Sequence, residues 1–369
     1  MFMSGLSRLG TVAAMHAGSL PSRRSFVAGA LAATGIAAAG LTAAAPAQAV
    51  RAARPRVLVA TNEPWGTYHV RPLLPEIAAR GWDVRQLVPD RSQLAPDEQV
   101  PVVTLDELSA ETGRGDRAAA DLLVVTGATD WPADCAAALG RFVPVAATSL
   151  AYLNAAEAPR ARELRHRLRV VTSSSPAEGR AFGGHLGTRR RVRVVGSPQT
   201  DTLPTPAPEP GTVLVLTSVT YPDETGGAAP GTQLLLDAAA ALEAAGKRIL
   251  VGLHPRENPQ LWSRYEISAV PSLQASARAE TAIGIPGTVF PLIVAAGVPV
   301  VGCVDPALVV PDYLLRVCSS SISSAADAVE AVATASLPDP ETLADVVGPV
   351  GGSAARLLDA WSIAARPVR

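Results

Sequence analysis

The stretch from Ala277 to Val304 constrains the fold of this chain more than any other part of the sequence. A short apolar rise leads into a glycine-containing turn at 284–288, and the apolar run that follows ends at Gly297. A second apolar run then extends to Val304. The pattern predicts a strand, a tight turn, a helix over 289–296 and another strand, a unit from which parallel sheets are built. Such a turn presents backbone N–H groups at a helix N-terminus, where anions bind.

A second polar segment lies upstream of this turn. His254-Pro255-Arg256 follows the apolar run 248–253, which predicts a buried strand. Ligands of open parallel sheets lie beyond the carboxyl ends of the strands. We therefore expect this segment and the turn at 284–288 to face one another across a ligand cleft.

Length, charge and cysteine content limit the classes of protein that the chain can belong to. Its 369 residues suffice for two domains of ordinary size. A formal net charge of −1 gives no electrostatic reason to expect a nucleic-acid partner. The three cysteines, Cys135, Cys303 and Cys318, allow one disulfide that the sequence cannot choose. Without CxxC, HExxH or clustered histidines, we expect no metal site.

The first 49 residues have the composition of a targeting segment. Arg23-Arg24 precedes a weakly apolar run of alanine and glycine at 28–45, and Ala47-Gln48-Ala49 supplies a small-x-small cleavage site. The pattern is similar to twin-arginine signals and predicts export of the folded protein by the twin-arginine machinery, with no stable membrane span after cleavage. An uncleaved anchor and a mis-assigned start codon remain the alternatives.

Residues 50–201 alternate strand and helix patterns, which predicts an N-terminal domain with a doubly wound parallel sheet. Its first unit is a strand at 56–61, a polar loop, a helix at 69–80 and a strand from 82. The spacing predicts a further helix over 151–168. Additional strands are predicted at 121–126, 143–148, 169–172 and 191–195.

A proline-rich linker at 202–211 separates this domain from a second one, predicted at 212–350. Residues 351–369 form a C-terminal helix, which we expect to cross back to the first domain. The segment 309–317 is predicted as a strand or a loop. Strands are predicted at 212–217 and 248–253, and helices at 232–245, 261–265 and 324–333.

Four short motifs occur in order along the two predicted domains. They are GSPQTD at 196–201, HPR at 254–256, GIPGT at 284–288 and AAGVPV at 295–300. With this order and spacing the chain resembles glycosyltransferases of the GT-B fold. The most similar motifs are those of bacterial sialyl- and polysialyltransferases and CDP-glycerol glycerophosphotransferases. The resemblance implies two Rossmann-like, doubly wound parallel-sheet domains that face a central cleft.

The resemblance also implies roles for particular residues. A metal-independent, inverting enzyme of this kind binds a nucleotide-activated donor and transfers its group to a hydroxyl of a glycan or cell-wall acceptor. A general base from the first domain would deprotonate the acceptor. The candidate bases are Glu63, His69 and Asp130. The candidate donor-binding residues are His254, Arg256, Gly284, Gly287 and Thr288.

Two features depart from the family pattern. The helix over 289–296 has no glutamate to bind the donor's ribose. The acidic-acidic-Gly motif of the sialyltransferases is not matched in the first domain, and Asp223-Glu224-Thr225-Gly226, which has a similar look, lies in the second. Export is a third difficulty, because activated nucleotide sugars are cytoplasmic. Two alternatives therefore remain: a non-catalytic exported protein that binds a glycan or cell-wall polymer, and a sugar-nucleotide epimerase.

Overall fold

The computed structural model describes residues 54–112, 120–126, 130–150, 160–218, 230–254 and 257–366. The predicted signal at 1–49, the pair Asp223-Glu224 and the candidate ligand Arg256 lie outside the described residues.

The N-terminal half forms a seven-stranded parallel sheet, the N-terminal sheet, with strand order β3-β2-β1-β4-β5-β6-β7. Its strands are β1 Arg56–Ala60, β2 Asp83–Leu87, β3 Val102–Val103, β4 Leu122–Val125, β5 Val145–Thr148, β6 Leu168–Ser173 and β7 Arg193–Val194. Its helices are α1 Leu74–Arg80, α2 Leu105–Thr112, α3 Asp130–Ala138 and α4 Pro176–Leu186.

The C-terminal half forms a six-stranded parallel sheet, the C-terminal sheet, with strand order β10-β9-β8-β11-β12-β13. Its strands are β8 Thr212–Leu216, β9 Arg248–Gly252, β10 Glu266–Ile267, β11 Thr281–Gly284, β12 Val300–Cys303 and β13 Ser320–Ile322. The helices that follow in the chain are α5 Thr232–Ala244, α6 Ser272–Ala275, α7 Phe290–Ala295, α8 Asp312–Leu315, α9 Ala328–Ala333, α10 Pro340–Val346 and α11 Ser353–Ala365.

The two sheets repeat one topology. The first six strands of each half, taken in chain order, lie in the spatial order 3-2-1-4-5-6, the order of a Rossmann fold. The strand order reverses between β1 and β4 in one sheet and between β8 and β11 in the other. The predicted fold class, two Rossmann-like doubly wound domains, is confirmed. The predicted boundaries at 50–201, 202–211 and 212–350 remain a prediction.

Both faces of the central strands are buried, which is why these strands are continuous apolar runs. Along β1, Val57 and Val59 pack into the cluster that includes α11, whereas Leu58 and Ala60 pack into the cluster on the opposite face. Successive side chains of a strand point to opposite faces, so one short run contributes to two cores.

The last helix belongs to the core of the N-terminal sheet, as predicted. Trp361 of α11 is fully buried, and its indole N–H donates to Thr148 at the end of β5 at 3.0 Å. Arg356 donates to the carbonyl of Val195, just after β7, at 2.9 Å. The chain therefore crosses from the C-terminal sheet back to the first domain.

Two predicted helices begin or end elsewhere. The helix predicted at 69–80 starts at Leu74 and is preceded by two 3-10 turns, because Pro72 and Pro75 lack the N–H groups of a regular first turn. The helix predicted over 151–168 is wrong at its C-terminal end. Its described part is a 3-10 turn at Ala161–Leu164, and β6 begins at Leu168, because 168–173 are buried in the sheet. Residues 151–159 lie outside the described part.

Three further predictions need correction. The strand at 191–195 shortens to the two residues of β7. The helix at 261–265 is a 3-10 turn at Pro259–Trp262, capped by the Asn258 side chain. The segment 309–317 is not a strand but a loop interrupted by the short helix α8, which Pro311 starts and which buries Tyr313 and Leu314 in the core beneath it.

The three cysteines are free thiols, and burial raises the pKa of each to about 12. Thiols with such a pKa are poor nucleophiles, because the thiolate is the reactive form. Within the described residues, no helix is long and apolar enough to cross a membrane.

Candidate functional site

The carboxyl edge of the N-terminal sheet is ordered by hydrogen bonds at the point where the strand order reverses. The N–H of Asn62, after β1, donates to the Thr126 hydroxyl at the end of β4 at 2.9 Å. The buried Gln86 amide donates to the Thr61 hydroxyl and to the Pro64 carbonyl, at 3.1 and 2.8 Å. The loop after β1, which carries the first two candidate bases, is therefore held against its neighbouring strands.

Glu63 and His69 lie close together in this loop. The Tyr68 hydroxyl donates to a carboxylate oxygen of Glu63 at 2.5 Å, and the Tyr68 and His69 ring centroids are 4.1 Å apart. Burial lowers the pKa of His69 from 6.5 to about 4, although the Glu63 carboxylate opposes this shift. The imidazole is therefore neutral at neutral pH. Its Nδ1 is buried and has no hydrogen-bond partner among the described residues.

A second carboxylate, Glu98, forms hydrogen bonds with the same loop. It accepts hydrogen bonds from the Thr67 hydroxyl, the Val100 N–H and the Arg71 guanidinium. Burial raises the pKa of Glu98, but these donors outweigh it and lower the pKa below its ordinary value. An ionised Glu98 therefore fixes the turn that carries His69. Sequence reasoning missed Glu98, because it belongs to no recognisable motif, and it considered Tyr68 only for stacking on a sugar or packing the loop.

The third candidate base, Asp130, has different surroundings. It is the first residue of α3, its side chain is 68% exposed, and it lies 3.8 Å from the Arg160 guanidinium. Arg160 is bound more closely by Asp134 and Glu163, at 2.8 and 2.9 Å. The described contacts place Asp130 in this exposed ion-pair cluster and do not bring it together with Glu63 and His69.

The carboxyl edge of the C-terminal sheet carries the candidate donor-binding residues on both sides of β8. His254 follows β9 and Gly284 ends β11, and these two strands flank β8. The backbone N–H of His254 donates to the Thr217 hydroxyl, beyond the end of β8, at 2.8 Å. Adjacent strands are about 4.8 Å apart, so the two loops begin roughly 10 Å from one another. The structure places both at one edge of one sheet, and their role in a ligand cleft remains a prediction.

Gly284 is required by packing rather than by a turn. It lies within β11 opposite Leu216, and a Cβ added there would come within 2.5 Å of the Leu216 carbonyl oxygen. Gly287 is different, because a Cβ there would meet only the Ile285 carbonyl oxygen, at 3.7 Å. The space above Gly287 and the exposed Thr288 is therefore open to an approaching ligand.

The helix that follows this turn offers no polar side chain. Helix α7 has only six residues, Phe290–Ala295, and its first five residues are buried. Pro291 occupies a first-turn position and so removes one N–H donor. Anion binding at this turn would depend on the backbone at 287–289 and on the Thr288 hydroxyl.

Two other carboxylates of the C-terminal sheet were missed by sequence reasoning. Asp305 follows β12 and accepts the Gly231 N–H at 3.1 Å, which fixes the chain where it enters α5. Glu257 is buried beside the HPR motif, and burial raises its pKa. A glutamate whose protonated form is favoured can donate a hydrogen bond, which a carboxylate cannot.

The GSPQTD motif joins the two halves of the molecule. Both carboxylate oxygens of Asp201 accept backbone N–H groups at the start of α11, from Ser353 at 2.7 Å and from Ala354 at 2.8 Å. Gly196 has a φ of 85°, and a Cβ there would lie 2.3 Å from the Pro349 carbonyl oxygen. Asp201 of the motif therefore caps α11, and Gly196 lets the Pro349 carbonyl, in the segment before α11, approach the motif closely.

A buried carboxylate, Glu178, lies at the same junction. This α4 residue accepts the Ser149 hydroxyl, and it accepts the Ser174 N–H at 2.6 Å. These contacts link the ends of β5 and β6 to the first turn of α4. The spacing of Ser175 and Glu178 matches a capping box, which was a signal that the sequence offered.

The sequence matches no family model and no curated protein. The fold, by contrast, is similar to those of solved structures. The UDP-GlcNAc 2-epimerase of Methanocaldococcus jannaschii, in complex with UDP-GlcNAc and UDP, matches with a TM-score of 0.56 and 14% identity over 83% of this chain and 99% of that one. The wall teichoic acid polymerase TagF, soaked with CDPG, matches with a TM-score of 0.56 and 10% identity over 84% of this chain and 88% of that one.

MurG of Acinetobacter baumannii gives a TM-score of 0.51 and 14% identity over 83% of this chain and 98% of that one. At such identities the likeness concerns the fold alone. Each match covers both sheets of this chain and most of the other protein. Together with the repeated strand order, they show that this chain has the two-domain, Rossmann-like GT-B fold.

Proposed function

We propose that this protein is a glycosyltransferase-like enzyme that transfers a sugar or similar group from a nucleotide-activated donor to a hydroxyl acceptor. One observation carries the proposal. The two sheets of a GT-B fold each have candidate groups of complementary chemistry where their strand order reverses. One carries a histidine held neutral beside a carboxylate, and the other an open glycine-containing turn.

The C-terminal sheet would bind the donor. The backbone at Gly287, the Thr288 hydroxyl and the His254 imidazole can donate hydrogen bonds to phosphate oxygens. Arg256, in the same motif, can pair with a phosphate bidentately. The solved neighbours support this assignment, because the epimerase complex contains UDP-GlcNAc and UDP, and a TagF structure contains CDPG.

The N-terminal sheet would supply the base. The neutral His69 can accept a proton from an acceptor hydroxyl, and the adjacent Glu63 carboxylate would stabilise the imidazolium that forms. Tyr68 holds Glu63 by its hydrogen bond and so keeps the carboxylate beside the ring. Asp130, which is paired with Arg160 and exposed, is the weaker candidate for this role.

A non-catalytic role is the second candidate, and one observation favours it. Helix α7 is apolar along its whole length and has no side chain that could bind a ribose. If the twin-arginine segment at 1–49 exports the protein, no cytoplasmic nucleotide sugar would reach it. The protein would then bind a glycan or cell-wall polymer. A reporter fused to residues 1–60 that remains in the cytoplasm would remove this objection to the transferase.

Calorimetry with UDP and with CMP tests the proposal on the full chain. We expect sub-millimolar binding of at least one nucleotide, about tenfold or more weaker in His254→Ala, because a hydrogen bond to a charged group contributes about 1.5–3 kcal/mol. His166→Ala, which removes an exposed histidine from the N-terminal half, is the matched control and should bind like the wild type. Absence of binding at millimolar concentration contradicts the transferase. Conversion of a donor sugar to its epimer without transfer would identify the epimerase instead.

A further inference from the structure

The open edge of the N-terminal sheet carries a strip of arginines that the proposed reaction does not use. We call Arg189, Arg190, Arg191 and Arg193 the arginine strip; they lie in and just before β7, and all four are exposed. Strand β7 is the last in the sheet order and pairs only with β6 among the described strands. The strip therefore lies along an edge that no other described strand covers.

None of these four guanidinium groups has an ion pair or hydrogen bond with a described residue. Two other arginines, in contrast, form ion pairs with a carboxylate. Arg180 on α4 pairs bidentately with Asp345, at 2.7 and 2.9 Å, and Arg316 shares the same carboxylate at 2.7 Å. The Asp345 carboxylate is thus shared by Arg180 and Arg316, and no described carboxylate is paired with the strip.

Two local contacts position the segment that carries the strip. Val192 packs toward α4, where it approaches Gly179 and Gly183. The Thr188 hydroxyl accepts the Arg190 N–H at 3.1 Å and shapes the turn before the strand. Arg193 is the first residue of β7, and the other three arginines lie in the four residues before it. Four positive charges are therefore concentrated in the five residues 189–193 at this edge.

A further arginine, Arg162, lies beside the C-terminal end of α4. Arg162 packs against Gly187, at the end of that helix, and has no carboxylate partner among the described residues. Burial, and after it the Arg162 guanidinium, lowers the pKa of His185 in the last turn of α4. An anionic ligand long enough to span several of these cations would gain more from the surface than a single small anion.

The chemistry of the strip selects among polyanions. Arginine pairs with phosphate oxygens bidentately and stays charged at every physiological pH. Single-stranded nucleic acids also need aromatic side chains for base stacking, and residues 186–195 contain none. A membrane surface requires apolar anchors beside the charges, and Val194, 36% exposed, is the one exposed large apolar side chain in this segment.

We propose that the arginine strip binds a linear, phosphate-bearing polymer of the polyol-phosphate or phosphoglycan kind. Its regularly spaced phosphates would pair with successive guanidinium groups along the open edge. The proposal goes beyond the transferase reaction, because it involves neither nucleotide nor any candidate site residue. It holds equally if the protein is a non-catalytic binder.

Fluorescence anisotropy with labelled poly(glycerol phosphate), in 50 to 200 mM salt and without nucleotide, tests the proposal on the full chain. We expect the quadruple variant R189Q/R190Q/R191Q/R193Q to bind at least about tenfold more weakly at 50 mM salt. Its affinity should also depend less on salt, with the slope of log K against log salt reduced by about 3, since each phosphate contact releases about 0.7 counterions from a single-stranded polymer.

The matched control R91Q/R141Q/R248Q/R264Q removes four exposed arginines from elsewhere and should bind like the wild type. Equal binding by the strip variant and the wild type would overturn the proposal. So would a wild-type preference for single-stranded DNA, for anionic vesicles or for a polyuronate without phosphate. If the quadruple variant fails to fold, as judged by circular dichroism, the single variants R191Q and R193Q should each weaken binding measurably, and unchanged binding by both would overturn the proposal.

Discussion

The two sheets share one strand order but have different carboxyl edges. In the N-terminal sheet, the loop after β1 carries charged and aromatic side chains that contact one another, namely Glu63, Tyr68 and His69. In the C-terminal sheet, the turn after β11 instead offers backbone, small residues and a hydroxyl, namely Gly284, Gly287 and Thr288. Repetition of a fold within one chain has thus not repeated the site chemistry, since function depends on the site rather than on the fold.

The packing beneath the two edges differs in a related way. At the end of β1, Ala60 lies opposite the larger Val125 of β4. At the equivalent place in the C-terminal sheet, Leu216 of β8 is the larger residue and lies opposite Gly284 of β11. The small residue is on the first strand in one sheet and on the fourth in the other. The two sheets therefore differ in which of the two central strands leaves room for its neighbour at this edge.

The largest expected effect concerns His69, in the loop after β1 of the N-terminal sheet. Because burial lowers the pKa of His69 to about 4, the unfolded chain binds a proton at this residue between pH 6.5 and 4 and the folded chain does not. The contribution of His69 to the free energy of unfolding should therefore be largest above pH 6.5 and should decrease as the pH is lowered toward 4. The loss from His69 alone is at most about 3 kcal/mol.

Urea unfolding of the wild type and of His69→Gln at pH 7, 5.5 and 4.5 measures this effect. The variant should lose less stability than the wild type between pH 7 and 4.5. His166→Gln, at an exposed histidine, should follow the wild type. Parallel curves for all three proteins would show that the pKa of His69 is the same in the folded and unfolded states, which would contradict the lowered pKa.

The next effect concerns Gly284 and the turn that follows it in the C-terminal sheet. In Gly284→Ala the new methyl group would meet the backbone of Leu216, so neighbouring strands must separate. Inserting a methyl group into a closely packed core costs about 1–3 kcal/mol. Gly287→Ala is the matched control, because its nearest contact is at 3.7 Å, and its stability should change by less than about 0.5 kcal/mol.

Urea unfolding of both variants, followed by UDP or CMP titration, separates packing from binding. We expect Gly284→Ala to lose stability and Gly287→Ala to lose nucleotide affinity. If Gly284→Ala is as stable as the wild type, the two edges are not packed differently.

Much of the fold was predictable because buried parallel strands leave a clear signal in the sequence. The run at 281–283 and the turn after it predicted β11, α7 and β12. The errors arose where the local pattern was ambiguous. Tyr313 and Leu314 look like part of an apolar strand, but Pro311 and burial against the C-terminal sheet make them helical. Helical spacing at 69–80 was correct only beyond Pro72 and Pro75.

The candidate site was predictable only in part. Motifs on single loops, such as His254 and Gly287, were found because their residues are adjacent in sequence. Glu98 and Glu178 were missed, since their importance depends on contacts between segments far apart in the chain, such as Glu98 with Thr67. The low pKa of His69 likewise depends on tertiary burial, which no local pattern encodes.

The smallest effect concerns the connection between the two sheets. Asp201 accepts two backbone N–H groups at the start of α11, and Asp201→Ala leaves both without this acceptor. Loss of such a cap costs about 0.5–2 kcal/mol. Asp201→Asn keeps one carbonyl oxygen and should lose about half as much, which separates the capping hydrogen bonds from the mere size of the side chain.

Hydrogen exchange of α11, measured together with urea unfolding, decides how far this loss spreads. Trp361 packs α11 against the N-terminal sheet, whereas the chain reaches that helix from the C-terminal half. If Asp201→Ala accelerates exchange only in the first turn of α11, the two sheets are stabilised separately. If exchange rises across β5 and β6 as well, the helix transmits its stability to the sheet that carries His69. We expect the second result, because the Trp361 indole bonds directly to Thr148 of β5.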